Sequence, residues 1–294
     1  MKLMAGKRIF YAIGIFWIFT PAAADSKIGV EDCSTCHRTI TREWRSSLHA
    51  QAYLSPVFLK EKGESRCSGE SSCSCHAPDN IPLETLAGVP SIREDSLQFG
   101  VDCLGCHMDK DMVAWSSGEQ RFVPHFTRMN RMYSQGRFCT GCHRWGKGTG
   151  FDCQECHMPE LGGANSDGPH IGKVTGATHR SHSWPGSRNP EILAQGAVLT
   201  SIRNGKELSV SVTNVVGAHS FPVVDHHRAE IVVLPESSLH PVWGQSVKLA
   251  PDSTAEYSVK LRDARARAIV ELRFYPAPAI WPDSFYVLHK EMID

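Results

Sequence analysis

Hydrophobic positions change rhythm twice along this chain. Ile9 to Phe19 is an unbroken run of apolar residues and one glycine, preceded by the basic residues Lys2, Lys7 and Arg8. It is about half the roughly 20 residues that a membrane-spanning helix needs. Pro21-Ala22-Ala23-Ala24 follows with small residues at signal-peptidase spacing, so residues 1–24 read as a signal peptide cut after Ala24. From 25 to 195 no long amphipathic repeat appears, and Gly, Ser and Pro recur between short apolar clusters. That pattern predicts short helices joined by loops. From 196 to 294 the period becomes two: Leu208-Ser-Val210-Ser-Val212-Thr alternates, and 230–234, 257–261 and 268–274 are β-rich and bounded by Pro or Gly. Six or seven short strands in such a stretch predict an antiparallel β-sandwich. The expected fold is therefore α+β, with 25–195 as one domain and 196–294 as a second. Pro276 to Pro282 predicts an extended cover strand or a loop.

Composition narrows the possibilities. The chain has 294 residues, with 31 Lys and Arg against 31 Asp and Glu. Loss of the leader removes three basic groups and leaves a slight negative excess. No strongly basic footprint exists, which excludes nucleic acid as an expected partner. No later segment is long and apolar enough to span a bilayer, so the mature chain is expected in the periplasm or outside the cell. Export also permits disulfides.

The cysteines are concentrated. All 11 lie between Cys33 and Cys156, and the final 138 residues hold none. Four times the chain reads Cys-x-x-Cys-His: Cys33 and Cys36 with His37, Cys103 and Cys106 with His107, Cys139 and Cys142 with His143, Cys153 and Cys156 with His157. One such pair alone fits a zinc half-site or a redox dithiol. A zinc site, however, has no reason to place His directly after the second Cys each time. The pattern is that of c-type haem attachment, in which two thiols bond one porphyrin edge and the adjacent His is the proximal iron ligand. A fifth site is irregular: residues 67 to 76 read Cys-Ser-Gly-Glu-Ser-Ser-Cys-Ser-Cys-His. Cys75-His76 has the right ending, but Ser72 stands where the first thiol belongs, and Cys73 is too close to Cys75 to span two vinyl positions. The expectation is a fifth haem c on Cys67 and Cys75, whose longer spacer can loop outward, with Cys73 spare. Two other readings stay open: a haem on Cys75 alone with Cys67 and Cys73 in a disulfide, or no haem here.

Iron ligands on the opposite faces must come from elsewhere. Of 15 His, ten remain after the proximal five: His49, His125, His170, His179, His182, His219, His226, His227, His240 and His289. Met108 and Met158 follow proximal His residues and point away from their own iron, so they read as packing residues.

The motifs resemble those of multihaem c-type cytochromes related to the tetrahaem cytochromes and hydroxylamine oxidoreductases, including relatives that form extracellular filaments. Trp44-Arg-Ser-Ser-Leu-His49-Ala is similar to that group's W-x-x-S-x-H-A run, whose His ligates a haem. Cys75-His76-Ala77-Pro78 resembles its CHAP segment, and Gly100-Val101-Asp102-Cys103 its G-V-x-C lead-in. His125 stands 14 residues before Cys139, where the group often has a ligand. His182-Ser-Trp-Pro-Gly186 is similar to H-x-F-x-G, and Gly217-Ala-His219-Ser-Phe-Pro222 to G-H-x-F-P, which opens a C-terminal β-domain. The resemblance implies His49, His125 and His182 as the first distal ligands, then His219, then His179 or His170. The chain departs from the group in its disrupted second motif, in the extra Ala218 and in Val223-Val224 where Thr-Gly is usual.

Three activities follow as expectations. Irons with two protein ligands exchange single electrons and bind no substrate, so an electron carrier with redox-protein partners comes first. Haem propionates would add negative charge and favour basic, salt-sensitive partner surfaces. A haem with one open face would instead make an oxidoreductase acting on a small nitrogen or sulfur compound, with the second motif as its candidate. Neither the Cys-x-x-Cys-Lys of similar nitrite reductases nor a Tyr suited to a hydroxylamine-oxidoreductase cross-link stands out. The third expectation is self-association into an oligomer or filament, for which spare His residues such as His226, His227, His240 and His289 are available.

Overall fold

A computed structural model describes residues 28–63, 71–81, 89–109, 111, 113–116, 125, 127–144, 152–169 and 176–294. The leader, Cys67 and His170 lie outside these residues.

The first part of the chain is built from helices of four to nine residues, each started and stopped by an identifiable device. α1 (Val30–Cys36) opens where Asp32 accepts a hydrogen bond from the Gly29 amide at 2.8 Å. Glu31 and Asp32 place negative charge in its first turn, where the helix dipole favours it. A break at His37 separates it from α2 (Arg38–Ser46), whose first amides are capped from far along the chain. Asp167 Oδ1 accepts from Arg38 N at 2.8 Å and Thr39 N at 3.3 Å. α3 (Pro56–Lys62) begins with proline, which the first helical turn tolerates, and stops at Gly63 with φ +60°. α4 (Ser71–Ser74) is one turn. α5 (Cys103–His107) is capped by Asp102, which accepts from Gly105 N at 2.9 Å. α6 (Cys153–His157) has the same length, and α7 (Pro190–Gln195) is capped by Asn189. Two small strand pairs join these helices: β1 (Ala114–Ser116) runs parallel to β2 (Thr127–Met129), and β3 (Glu160–Gly162) antiparallel to β4 (Thr178–Arg180).

The second part is a two-sheet sandwich. Its strands are β5 (Ala197–Asn204), β6 (Glu207–Asn214), β7 (Arg228–Pro235), β8 (Trp243–Val247), β9 (Thr254–Lys260), β10 (Ala268–Tyr275) and β11 (Tyr286–Ile293). One sheet has the order β5-β6-β9 and the other β11-β10-β7-β8, with every pairing antiparallel. The period-two pattern acts as expected in β6, where Leu208, Val210 and Val212 point into the core. β7 and β10 are central and buried along most of their length. The molecule is thus mixed α+β. Residues 276–285 form a turn-rich loop before β11. Lys60 Nζ of α3 donates to the Ala279 carbonyl in that loop, which ties the first part to the sandwich. His289 Nε2 of β11 donates to the Ala194 carbonyl of α7 at 2.9 Å.

The two parts differ in what holds them together. The hydrophobic core cluster is drawn entirely from residues between Ala197 and Ile293, with Leu193 and Ala194 packed against it. Among the described residues before 190, the buried hydrophobic side chains are Val30, Trp44, Phe58, Cys73, Ala77 and Ala114. Burial of apolar surface is the main favourable term in folding, and these few scattered residues supply little of it. No described helix is long and apolar enough to cross a membrane.

Candidate cofactor-binding sites

Each regular motif sits on, or at the end of, a short turn of helix. Cys33 and Cys36 are on α1 with His37 at its end, and Cys103–His107 and Cys153–His157 are α5 and α6 themselves. Cys139 lies in a 3-10 turn, Gly136–Gly141, just before Cys142 and His143. A helical turn brings a Cys, the Cys three positions on and the following His to neighbouring positions.

The imidazoles then fall into pairs. His37 faces His125 with ring centroids 6.4 Å apart, His49 faces His143 at 5.9 Å, His107 faces His182 at 6.1 Å, and His157 faces His219 at 6.4 Å. A ring nitrogen sits about 2 Å from a bound metal and about 1 Å from its own ring centre, so two rings on one metal have centroids roughly 6 Å apart. The four separations match that spacing, and each pair joins one motif His to one of the ten remaining. No two pairs share a residue.

Hydrogen bonding fixes which nitrogen faces the partner ring. Backbone carbonyls lie at 2.6 Å from His37 Nδ1 (Asn165), 3.1 Å from His107 Nδ1 (Trp115) and 2.8 Å from His157 Nδ1 (Pro185). The same holds on the other side for His182 with Arg180 at 2.8 Å and His219 with Ser220 at 3.0 Å. A carbonyl can only accept, so each Nδ1 carries the proton and each Nε2 keeps its lone pair. This is the arrangement usual for metal-binding His. Burial holds His49 down to about 3 and His143 and His182 to about 4, and it also lowers His107 and His219. These rings therefore stay neutral, which is the ligating form. His49 Nδ1 is buried without a hydrogen-bond partner. That orphaned atom, the paired rings and the thiols beside them fit a c-type haem at each of the four motifs.

Residues outside the expected ligand set hold these rings in place, and of these Glu43 and Asn214 carry no motif in the sequence. Gly100 has φ +60°, and a Cβ there would lie 2.3 Å from the His49 carbonyl oxygen, which accepts the Val101 amide at 2.9 Å. Trp44 Nε1 donates to Val101 O at 2.7 Å, so the W-x-x-S-x-H-A and G-V-x-C segments are two halves of one clamp on His49. Glu43 Oε2 accepts the His182 amide at 2.9 Å. Asn214, fully buried at the end of β6, donates to the His219 carbonyl at 3.0 Å. Asp102 is salt-bridged to Arg93 at 2.5 Å where both are buried.

Not every expected ligand joins a pair. His179 is buried with Nε2 on Glu43 Oε1 at 2.9 Å and Nδ1 at 3.3 Å from Gly163 O. Both nitrogens are engaged, so the structure gives it a positioning role beside His182 in place of a ligand role. His227 packs against Phe274 in the sandwich, and His226 lies 3.4 Å from Glu61. Cys67 and His170 cannot be placed, since both lie outside the described residues.

The irregular site differs. His76 Nδ1 is anchored on Ala52 O at 3.1 Å, like the other motif His residues. The aromatic ring against it is Phe58, stacked at 3.9 Å and 17°. Cys75 is a free thiol, whereas Cys73 is disulfide-bonded. Sulfur atoms also bring motifs together: the thiols of Cys33 and Cys103, of Cys75 and Cys142, and of Cys139 and Cys153 lie near enough to shift one another's ionisation, lowering Cys33, Cys75 and Cys153.

A solved structure shares this fold. The chain is similar to the crystal structure of a penta-haem cytochrome c552 from Thermochromatium tepidum, with a TM-score of 0.63 over 90% of this chain and 99% of that one, at 16% identity. A hypothetical protein from Pyrococcus horikoshii OT3 covers 33% of this chain and 87% of its own at a TM-score of 0.22 and 15% identity. No family model matches the chain, and no curated protein does.

Proposed function

We propose that this chain is an exported pentahaem c-type cytochrome that carries electrons, with a haem-binding domain over 25–195 and a β-sandwich domain over 196–294. The observation that carries the reading is the set of four His–His pairs at 5.9–6.4 Å, each with one member supplied by a Cys-x-x-Cys-His motif. The shared fold with a penta-haem cytochrome supports it, as does the scarcity of a protein-only core before residue 190.

A bound haem supplies one-electron exchange at its iron. The protein's part is to hold two neutral imidazoles rigidly on the iron, so that little reorganises on transfer. The carbonyl-anchored Nδ1 atoms fix ring orientation, and Glu43, Gly100, Asn214 and Asp167 fix the backbone that carries the rings. Counted along the chain, with the irregular site second, the nearness of the thiols supports an order of neighbours: the first motif (Cys33) beside the third (Cys103), the fourth (Cys139) beside the fifth (Cys153), and the second (Cys75) beside the fourth (Cys142). Cys106 of the third motif also bears electrostatically on Cys139 and Cys142 of the fourth. The route this supports runs from the first motif through the third and fourth to the fifth, with the second branching from the fourth. The mass of the intact purified protein tests the reading. It should exceed that of the polypeptide by five haems, and a mass with no haem would overturn the proposal.

A further inference from the structure

We propose that Trp184 is a positioning residue shared by two haems: one indole fixes the ring planes of two distal ligands, His49 and His182, and so couples the irons they would serve. The inference rests on the haem reading above and adds a residue that neither attaches nor ligates.

Three observations carry it. First, the indole meets both imidazoles edge to face, His49 at a centroid separation of 4.5 Å and 70°, and His182 at 5.1 Å and 78°. Both contacts fall within the range that aromatic pairs prefer in this orientation. The two imidazoles belong to different pairs, His49 with His143 and His182 with His107. Second, Trp184 has φ +41°, where a bulky residue is a genuine outlier. Such a backbone persists only where its surroundings over-determine it, and here the turn between β4 and α7 carries the ring onto both imidazoles. Third, the residues on either side are tied to ligands as well. The His182 amide donates to Glu43 Oε2 at 2.9 Å, and the Pro185 carbonyl accepts from His157 Nδ1 at 2.8 Å. Residues 182–185 thus bear on the rings of three motifs, those at Cys103, Cys139 and Cys153. The first two of these are neighbours, since Cys106 bears electrostatically on Cys139 and Cys142.

The plane of an axial imidazole decides which iron d orbital receives its π electrons. The angle between two axial rings therefore sets the splitting of the orbitals that hold the unpaired ferric electron. That angle is 50° for His49 and His143 and 30° for His107 and His182. A ligating ring can turn about its iron–nitrogen bond unless a neighbour abuts it. The indole stands steeply to both distal rings, so turning either drives it against the same side chain. A change in the set of one ring is then passed to the other through one rigid body.

The test uses the intact exported protein with its haems, as Trp184→Leu, Trp184→Gly and Trp184→Phe. Electron paramagnetic resonance of the oxidised protein reads the ring-plane angle in the g anisotropy of each low-spin haem. The two relevant signals are assigned by their loss of low-spin character in His49→Ala and in His182→Ala. In Trp184→Leu and Trp184→Gly both signals should shift while those of the other haems stay. Trp184→Phe, which keeps an aromatic edge, should leave every signal in place. The glycine variant removes the ring and relieves the backbone, so an unchanged spectrum there would overturn the role of the ring. Overturning results are also a shift in one signal only, an equal shift or loss across every haem, or a Trp184→Phe spectrum matching that of Trp184→Leu. Intact mass on the same samples separates these results from failure of the haem reading, which would show as unmutated protein without haem.

Discussion

Gly100 and Arg93 show how single residues decide the geometry of the paired imidazoles. At Gly100 the backbone conformation is one that costs other residues about 1–3 kcal/mol, and the added Cβ would collide with the His49 carbonyl. Gly100→Ala is expected to push His49 away from His143 and convert the haem proposed at that pair to high spin, visible as a gain of carbon monoxide binding over the unmutated protein. Arg93 and Asp102 form a buried ion pair that caps α5, and removing one partner of such a pair costs about 3–5 kcal/mol. Arg93→Met should therefore lower the denaturation midpoint markedly in chemical unfolding. An unchanged midpoint would mean that the pair is solvated. The expected attachment motifs were legible in the sequence because their spacing is local, with five His residues directly following cysteines, whereas His49, His125, His182 and His219 were named only through the resemblance. Glu43, Asp167 and Asn214 were not, because each acts on a segment brought near only by folding. Asp167, for instance, caps α2 across a separation of 129 residues. The surroundings of His179 are non-local in the same way, since only the fold brings Glu43 and Gly163 to its two nitrogens.

The elements divide by what stabilises them. Period-two alternation in β6, and the β-rich runs that became β7, β9 and β10, made the sandwich readable, because a half-buried strand writes its burial into sequence. β8 was not singled out: Trp243–Val247 is a largely exposed edge strand with one buried residue, Val247. The short helices carry too few residues for any periodicity, and their position follows from the haem motifs and caps instead. This difference leads to a prediction about removing the cofactor. Protein made without covalent haem, with all motif cysteines changed to Ser, should keep a protease-resistant fragment beginning near Ala197 and lose resistance before it. Uniform resistance along the chain would show that the first part has a sufficient core of its own. Asn214 joins the two parts energetically. Its Nδ2 donates to the His219 and Ala250 carbonyls, each at 3.0 Å, and its Oδ1 accepts from Val216 N at 2.9 Å. Leaving such buried groups unpaired costs about 1–3 kcal/mol, so Asn214→Ala should destabilise the sandwich by that order in urea titration. It should also perturb selectively the redox titration of the haem proposed at Cys153 and Cys156, because His219, which faces His157, loses its support.

Across the whole molecule the thiol contacts and the ring pairs describe one connected object. The motif at Cys33 adjoins that at Cys103, Cys106 bears on Cys139 and Cys142, and these adjoin Cys153 and Cys75, so under the proposed function an electron entering at either end would have a neighbour to pass to. The sandwich contributes His219 to the array of paired imidazoles from the segment after β6, so the most heavily packed part of the molecule supplies one of the paired rings. Asn214, buried at the end of β6, couples the two by donating to the His219 carbonyl. The measurement that bears most directly on the account is electron paramagnetic resonance of the purified, fully oxidised protein with integrated spin counting. Four His–His pairs predict four low-spin ferric haems per chain, whatever the state of the site at Cys75 and His76. Fewer than four would contradict the assignment of these pairs as axial ligands.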